Sequence, residues 1–308
     1  MSAVFSVALP VFGIIAAGIF AGRFQFLTIE DSQSLNKFVF RFAMPAALFG
    51  LTAGSAPPGP EAAPFVGSYA IAAAIVLFAA YHLSKKLFAL TGQEAGAHSL
   101  ASVMGNAVFL GLPIALSIEG WGKPFVMLML IEGVFVIGAG AAMLASRDNA
   151  SGGAFVGYFV KPLKNPLVAG MALGFLYSVI GLGFSGPVET FFSLLGRAAG
   201  PTALFSLGLF LATHKFPDMK VVGGRVSFIA IGKMFALPAI ALGLAAFFGV
   251  SDPHYLGALA LFMFVPSGVT TFVMASQAGA GETETAAAVF ATTLLSVLTI
   301  SGVLIAFA

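Results

Sequence analysis

Two stretches of the chain set helix breakers beside hydrogen-bonding side chains: GNAVFLGLP at 105–113 and VPSGVTTF at 265–272. Each frees backbone N–H and C=O groups and places an amide or hydroxyl next to them. That chemistry holds a small polar solute rather than breaking bonds. The residues picked out are Gly105 and Asn106 in the first stretch, and Pro266, Ser267, Gly268, Thr270 and Thr271 in the second. Singly, each stretch also reads as a proline kink with an interhelical hydrogen bond. Two ionisable residues, Glu132 and Lys233, lie inside long apolar runs, where a charge is costly and marks a candidate for substrate contact or ion coupling. A buried structural ion pair is the plain alternative for both, and Lys233 is also near enough to Arg225 to snorkel from a helix end.

Other chemistries find little support. The chain has no cysteine, which removes disulfides, thiol catalysis and Cys-based metal sites. There is no GxxxxGK[ST] loop for ATP phosphates and no HExxH zinc pattern. GFSG at 183–186 matches a serine-hydrolase pattern around Ser185, but that needs a histidine base. His82, His98, His214 and His254 all fall at expected helix ends or in loops. No cofactor, metal or enzyme activity is therefore expected.

The elements that carry these residues follow from composition. Of 308 residues, 59% are hydrophobic and 8% charged, against about 25% charged in a soluble domain. Such a chain belongs in a membrane. A net charge of +2 gives no footing for nucleic acid. Ten runs are long and apolar enough to span a bilayer: 4–22, 36–54, 64–83, 98–118, 124–145, 165–183, 188–212, 228–248, 255–275 and 285–307. The N-terminus, MSAVFSVALPVFG, lacks a basic segment and reads as a retained first span. One alternating set of connections holds eleven Lys and Arg, the other only Lys123 and Arg197. The basic set belongs in the cytoplasm, which puts both termini on the outer face of the cell (inner) membrane.

The chain also repeats itself. RFAMPAALFGL at 41–51 and RAAGPTALFSL at 197–207 agree at seven of eleven positions, 156 residues apart. The same offset aligns Pro10 with Pro166 and Gly18 with Gly174, and an offset of 159 aligns LASVM (100–104) with LALFM (259–263). This predicts two five-helix units, 1–147 and 165–308, joined by a short cytoplasmic linker at 148–164. Five is odd, so the second unit is inverted, a build recurrent in secondary transporters. Spans 4 and 9 become partners, each broken at its polar stretch. The patterns at 18–22, 170–174 and 196–200 (GIFAG, GMALG, GRAAG) read as helix-packing faces, Pro45 and Pro201 as kinks, and Thr292, Thr293, Ser296 and Thr299 as bonds to neighbouring helices.

LNKFVFRFAMPAALF, GNAVFLGLP, KNPLVAGMALG, GPTALFSLGLFLA and VPSGVTTFVMA together resemble the auxin efflux carrier family over essentially the whole chain. That family includes plant auxin exporters and bacterial carriers for malate, malonate and related acids. The resemblance implies a ten-helix fold related to bile-acid symporters and sodium/proton antiporters. Spans 1, 2, 6 and 7 would form a scaffold and the other six a transport domain, with spans 4 and 9 crossing beside the substrate and an elevator-like movement giving alternating access. The family's crossover Asn falls on Asn106, and its second crossover between Pro266 and Thr271. Plant members have Pro where this chain has Gly105, and a neutral polar residue near Glu132. A carboxylate there repels an anion unless protonated. The long cytoplasmic loop of many plant exporters is absent.

The expectation is a secondary carrier for a small organic anion, with a proton or sodium as coupling ion, or uniport. A sodium-coupled bile-acid-type symporter and a channel of the same fold stand as alternatives. Phe-rich surfaces (33 Phe) suit either lipid contact or a homodimer through the scaffold helices.

Overall fold

The computed structural model describes residues 2–54, 62–116, 118–145, 166–181, 183–213 and 219–307; the linker expected at 148–164 lies outside them. The described residues are helical throughout, with a single isolated β-bridge and no strand. The first half holds α1 (Ser2–Arg23), α2 (Ile29–Phe38), α3 (Met44–Ala53), α4 (Ala63–Phe88), α5 (Gly92–Ala101), α6 (Leu112–Leu116), α7 (Gly122–Ile131) and α8 (Ile137–Leu144). The second holds α9 (Pro166–Ile180), α10 (Gly186–Arg197), α11 (Ala199–Thr213), α12 (Met219–Ile231), α13 (Leu237–Phe247), α14 (Pro253–Phe264), α15 (Val269–Ala278) and α16 (Glu282–Phe307).

Among the described residues, four helical runs are long and apolar enough to cross a membrane by length and composition: Ala63–Phe88, Gly122–Leu144, Val222–Phe247 and Glu282–Phe307. The expected spans 4 and 9 are broken, one between α5 and α6 and the other between α14 and α15. Span 2 starts earlier than its apolar run, at Ile29, because Thr28 and Asp31 close a capping box there. α5 starts the same way: the N–H and hydroxyl of Thr91 hold the Glu94 carboxyl below its usual range. Span 7 is two helices, with the join at Ala198 and Pro201 in the first turn of α11, where its missing N–H costs nothing.

Among the described residues, four π turns interrupt the helices: Val39–Ala43, Ala107–Gly111, Glu132–Val136 and Gly232–Ala236. Proline follows three of them by two residues, at Pro45, Pro113 and Pro238. A proline ring inside a helix removes one N–H and clashes with the carbonyl four residues back, and widening the turn relieves the clash.

α1 packs along α11, and α9 along α3. These contacts depend on glycine. A Cβ on Gly18 would collide with the Phe205 carbonyl, and one on Gly174 would meet the Phe49 carbonyl at 2.5 Å. The offset of 156 turns the first pair into the second. Elsewhere α4 packs on α5 and α13, and α16 on α12 and α14. The outer surface stays apolar, with Phe24, Phe78, Leu298 and Ile305 all exposed, as lipid contact requires.

Replacing Gly174 with leucine forces a side chain into the Phe49 backbone and should cost about 1–3 kcal/mol. Gly302 has nothing within 4 Å of a would-be Cβ. Thermal unfolding in detergent should therefore drop for Gly174→Leu and hold for Gly302→Leu; equal behaviour of the two would mean the α3–α9 contact is not close-packed.

Candidate functional site

The site begins where two helices stop. Pro266 offers no N–H and holds the residue before it extended, so α14 ends at Phe264 with Val265 at φ −64°, ψ 145°. α5 ends at Ala101, and the chain resumes as helix at Ala107. Asn106, at φ −80° and ψ 53°, is outside the helical region.

Both breaks lie in the buried interior, where every freed backbone group needs a partner. They supply one another. The Asn106 N–H donates to the Pro266 carbonyl at 2.8 Å, and the Gly268 N–H donates to the Met104 carbonyl at 2.9 Å. This is an antiparallel bridge centred on Gly105 and Ser267. The contact is too close for side chains: a Cβ on Gly268 would lie 2.6 Å from the Gly105 carbonyl oxygen, and one on Gly105 would lie 2.6 Å from Val265 Cγ2.

Side chains from neighbouring helices take up what remains. Glu132 Oε1 accepts from the Gly105 N–H at 2.8 Å and from the Tyr69 hydroxyl at 3.2 Å. Thr292 Oγ1 accepts from the Ser267 N–H at 3.0 Å. The Ser267 hydroxyl donates to the Ala101 carbonyl at 2.8 Å, and Lys233 Nζ donates to the Met263 carbonyl at 2.7 Å. Thr271 turns back on the Gly268 carbonyl at 2.7 Å.

Among the side chains at the crossing, one polar atom is left over. Asn106 is 3% exposed, and its Nδ2 has no hydrogen-bond partner. It borders a cavity with about 20 Å³ of free space, lined also by Gly105, Glu132 and Thr270, with Met44, Leu48 and Leu51 as the apolar wall from α3. That is room for about one water. Thr270 Oγ1 faces Met44 Sδ across 3.9 Å.

The expected residues thus divide. Gly105, Asn106, Glu132 and Thr270 line the cavity. Pro266, Ser267 and Gly268 form the crossing, and Thr271 and Lys233 support it without lining the cavity. Lys233 does not snorkel: it is 1% exposed, and Arg225 pairs instead with Glu284 at 2.8 Å. Tyr69, near the start of α4, was missed by sequence reasoning: a tyrosine close to a span end reads as part of an interfacial belt. The wall from α3 carried no polar signal at all. Thr292, expected to bond a neighbouring helix or to line the cavity, bonds the neighbouring main chain at the crossing itself. The offset of 159 for spans 4 and 9 also shifts: the bridge pairs residues 162 apart. Ser185 is exposed at the start of α10, and His98 lies in the last turn of α5, as expected of a helix end, but is fully buried there.

Apolar helices enclosing a polar crossing of broken backbone define the chain as a multi-pass membrane protein built to pass a solute. A family model described as "Membrane transport protein" matches residues 3–151 and 157–304. The chain belongs to that family, the auxin efflux carrier family that its motifs resemble. It is 25% identical over 313 residues to a Rhizobium meliloti protein named "Putative malonate transporter", covering 99% of this chain and 96% of that one. An Escherichia coli protein named "Uncharacterized transporter YfdV" is 23% identical over 280 residues, 87% of this chain and 86% of its own. A Methanocaldococcus jannaschii protein named "Uncharacterized transporter MJ1031" is 32% identical over 117 residues, 37% and 38% of the two chains.

The bonds at the crossing make a specific forecast. Thr292→Val keeps shape but strands the buried Ser267 N–H, which costs about 1–3 kcal/mol. Thr293 is equally buried but bonds only its own helix, at the Val289 carbonyl. Thermal stability should fall for Thr292→Val and stay within about 0.5 kcal/mol for Thr293→Val.

Proposed function

We propose that the protein is a secondary carrier that moves a small organic anion, a carboxylate, by elevator-type alternating access. The observation that carries this reading is the buried, unpartnered Nδ2 of Asn106, a residue that lines a cavity between the crossing and α3. A buried amide donor without a partner is costly, and a carboxylate oxygen is the acceptor it lacks. The helices that start at Ala107 and Val269 carry partial positive charge at those ends, beside the crossing. The relative named for malonate adds support from outside the chain.

In this reading the crossing, α4, α7, α8, α12, α13 and α16 move together against a scaffold of α1, α2, α3, α9, α10 and α11. The swapped glycine contacts at Gly18 and Gly174, and the reciprocal bonds at the crossing, support two inverted five-helix units. About 20 Å³ is too little for any carboxylate, so substrate binding draws the α3 wall away from Asn106. The chain would sit in the inner membrane with both termini outside, as monomer or homodimer.

The test is thermal stabilisation of the purified protein by malonate, malate, succinate, indole-3-acetate and taurocholate. At a hundredfold excess over Kd a true ligand adds about 2.7 kcal/mol, a rise of a few degrees in Tm. Asn106→Ala should weaken that ligand about 10- to 100-fold. An equal shift in wild type and variant would place the substrate elsewhere.

A further inference from the structure

Matching backbone groups on the two sides of the crossing are held by different chemistry. Gly105 and Ser267 sit opposite each other in the bridge with their N–H groups turned outward, and each N–H donates to a side chain of the span that follows in its own half: Glu132 for one, Thr292 for the other. The carbonyls of Ala101 and Met263, again 162 residues apart, are capped by the Ser267 hydroxyl and by the Lys233 ammonium. Neutral hydroxyls therefore suffice for one N–H and one carbonyl, while a carboxylate and an ammonium hold their counterparts. Structure alone does not require those charges, and burying them is expensive.

The two charged groups belong together. Glu132 Oε1 and Lys233 Cε each come to 3.7 Å from the point where a Cβ on Gly105 would sit. They are not in contact: among the described residues, the one ion pair within 4 Å is Arg225–Glu284. The titratable side chains facing Glu132 are Tyr69 from α4 and Lys233 from the π turn before α13; α9 meets this segment through Met171 beside Gly133. Glu132 lines the cavity and Lys233 does not.

From this arrangement we infer that Glu132, with Lys233 behind it, is a proton-binding site, and that its proton is taken up together with the anion. The inference rests on the carboxylate reading above. With the cavity empty, carboxylate and ammonium cancel. A carboxylate entering beside them brings uncompensated negative charge into a dry site, and a proton added to Glu132 removes one unit of it. The protonated carboxyl keeps an oxygen for the Gly105 N–H, so the crossing stays intact. A sodium ion has less to gain at Glu132, because Lys233 already provides positive charge beside it.

Two measurements test this. In infrared difference spectra on a pH jump without substrate, wild type should show a protonated carboxylic C=O band that Glu132→Gln lacks. The glutamine keeps the amide acceptor for Gly105, so a folded variant is expected. No such band between pH 4 and 9, on the order of the full range a buried carboxyl spans, overturns the site whatever the substrate is. Malonate binding is then followed with pH in both proteins. Linkage to one proton makes the affinity of wild type fall about tenfold per pH unit more steeply than that of Glu132→Gln above the transition. Parallel slopes, or uptake into proteoliposomes driven by a sodium gradient and not by a proton gradient, overturn the coupling. A band that titrates while malonate fails to bind at any pH overturns the substrate reading and leaves the proton site standing.

Discussion

Everything at the centre of this protein answers to one constraint: a main chain that leaves the helix inside an apolar environment must find partners for its amides. Here the two breaks are each other's partners. Two backbone hydrogen bonds join Asn106 to Pro266 and Gly268 to Met104, and Glu132, Lys233 and Thr292 from three other helices, with Ser267 of the break itself, partner four further backbone groups. The cavity, the free amide of Asn106 and the buried acid and base all sit where they do because this crossing holds.

The surrounding helices are arranged to permit that. Glycine lets α1 and α9 lie against α11 and α3 at backbone distance, which makes each of those pairs stiff. Three proline-linked π turns and one at Glu132 re-aim the chain without unwinding it. Lys233 and Glu132 both sit in such turns, where one extra residue per turn shifts a side chain's heading by far more than rotamer choice allows.

Much of this was legible in the sequence. The membrane class followed from 59% hydrophobic residues, and the two breaks from the juxtaposition of Gly and Pro with Asn, Ser and Thr. The family followed from motif order, and the family model bears it out. What stayed hidden was hidden for physical reasons. An apolar wall such as Met44, Leu48 and Leu51 looks like any lipid-facing stripe, since packing partners leave no mark on residue type. Register between spans 4 and 9 slipped by three residues because Leu and Ala match anywhere, whereas the bridge depends on backbone. The two departures from the plant pattern, Gly105 for Pro and a carboxylate at 132, looked independent. They are one unit: proline has no N–H for Glu132 to accept.

The bridge at Gly105 and Ser267 also bears on how such a centre is to be probed and how it drifts over time. Its defining bonds are made by peptide groups, which every residue except proline carries. Side-chain scanning is nearly blind to them, and a quiet alanine scan there would say little about their weight. Ester-for-amide replacement at position 106 or 268 would delete one N–H at a time and read the bond directly. The same indifference to side-chain identity leaves the flanking positions free to diverge, with glycine at the closest approach as the fixed point.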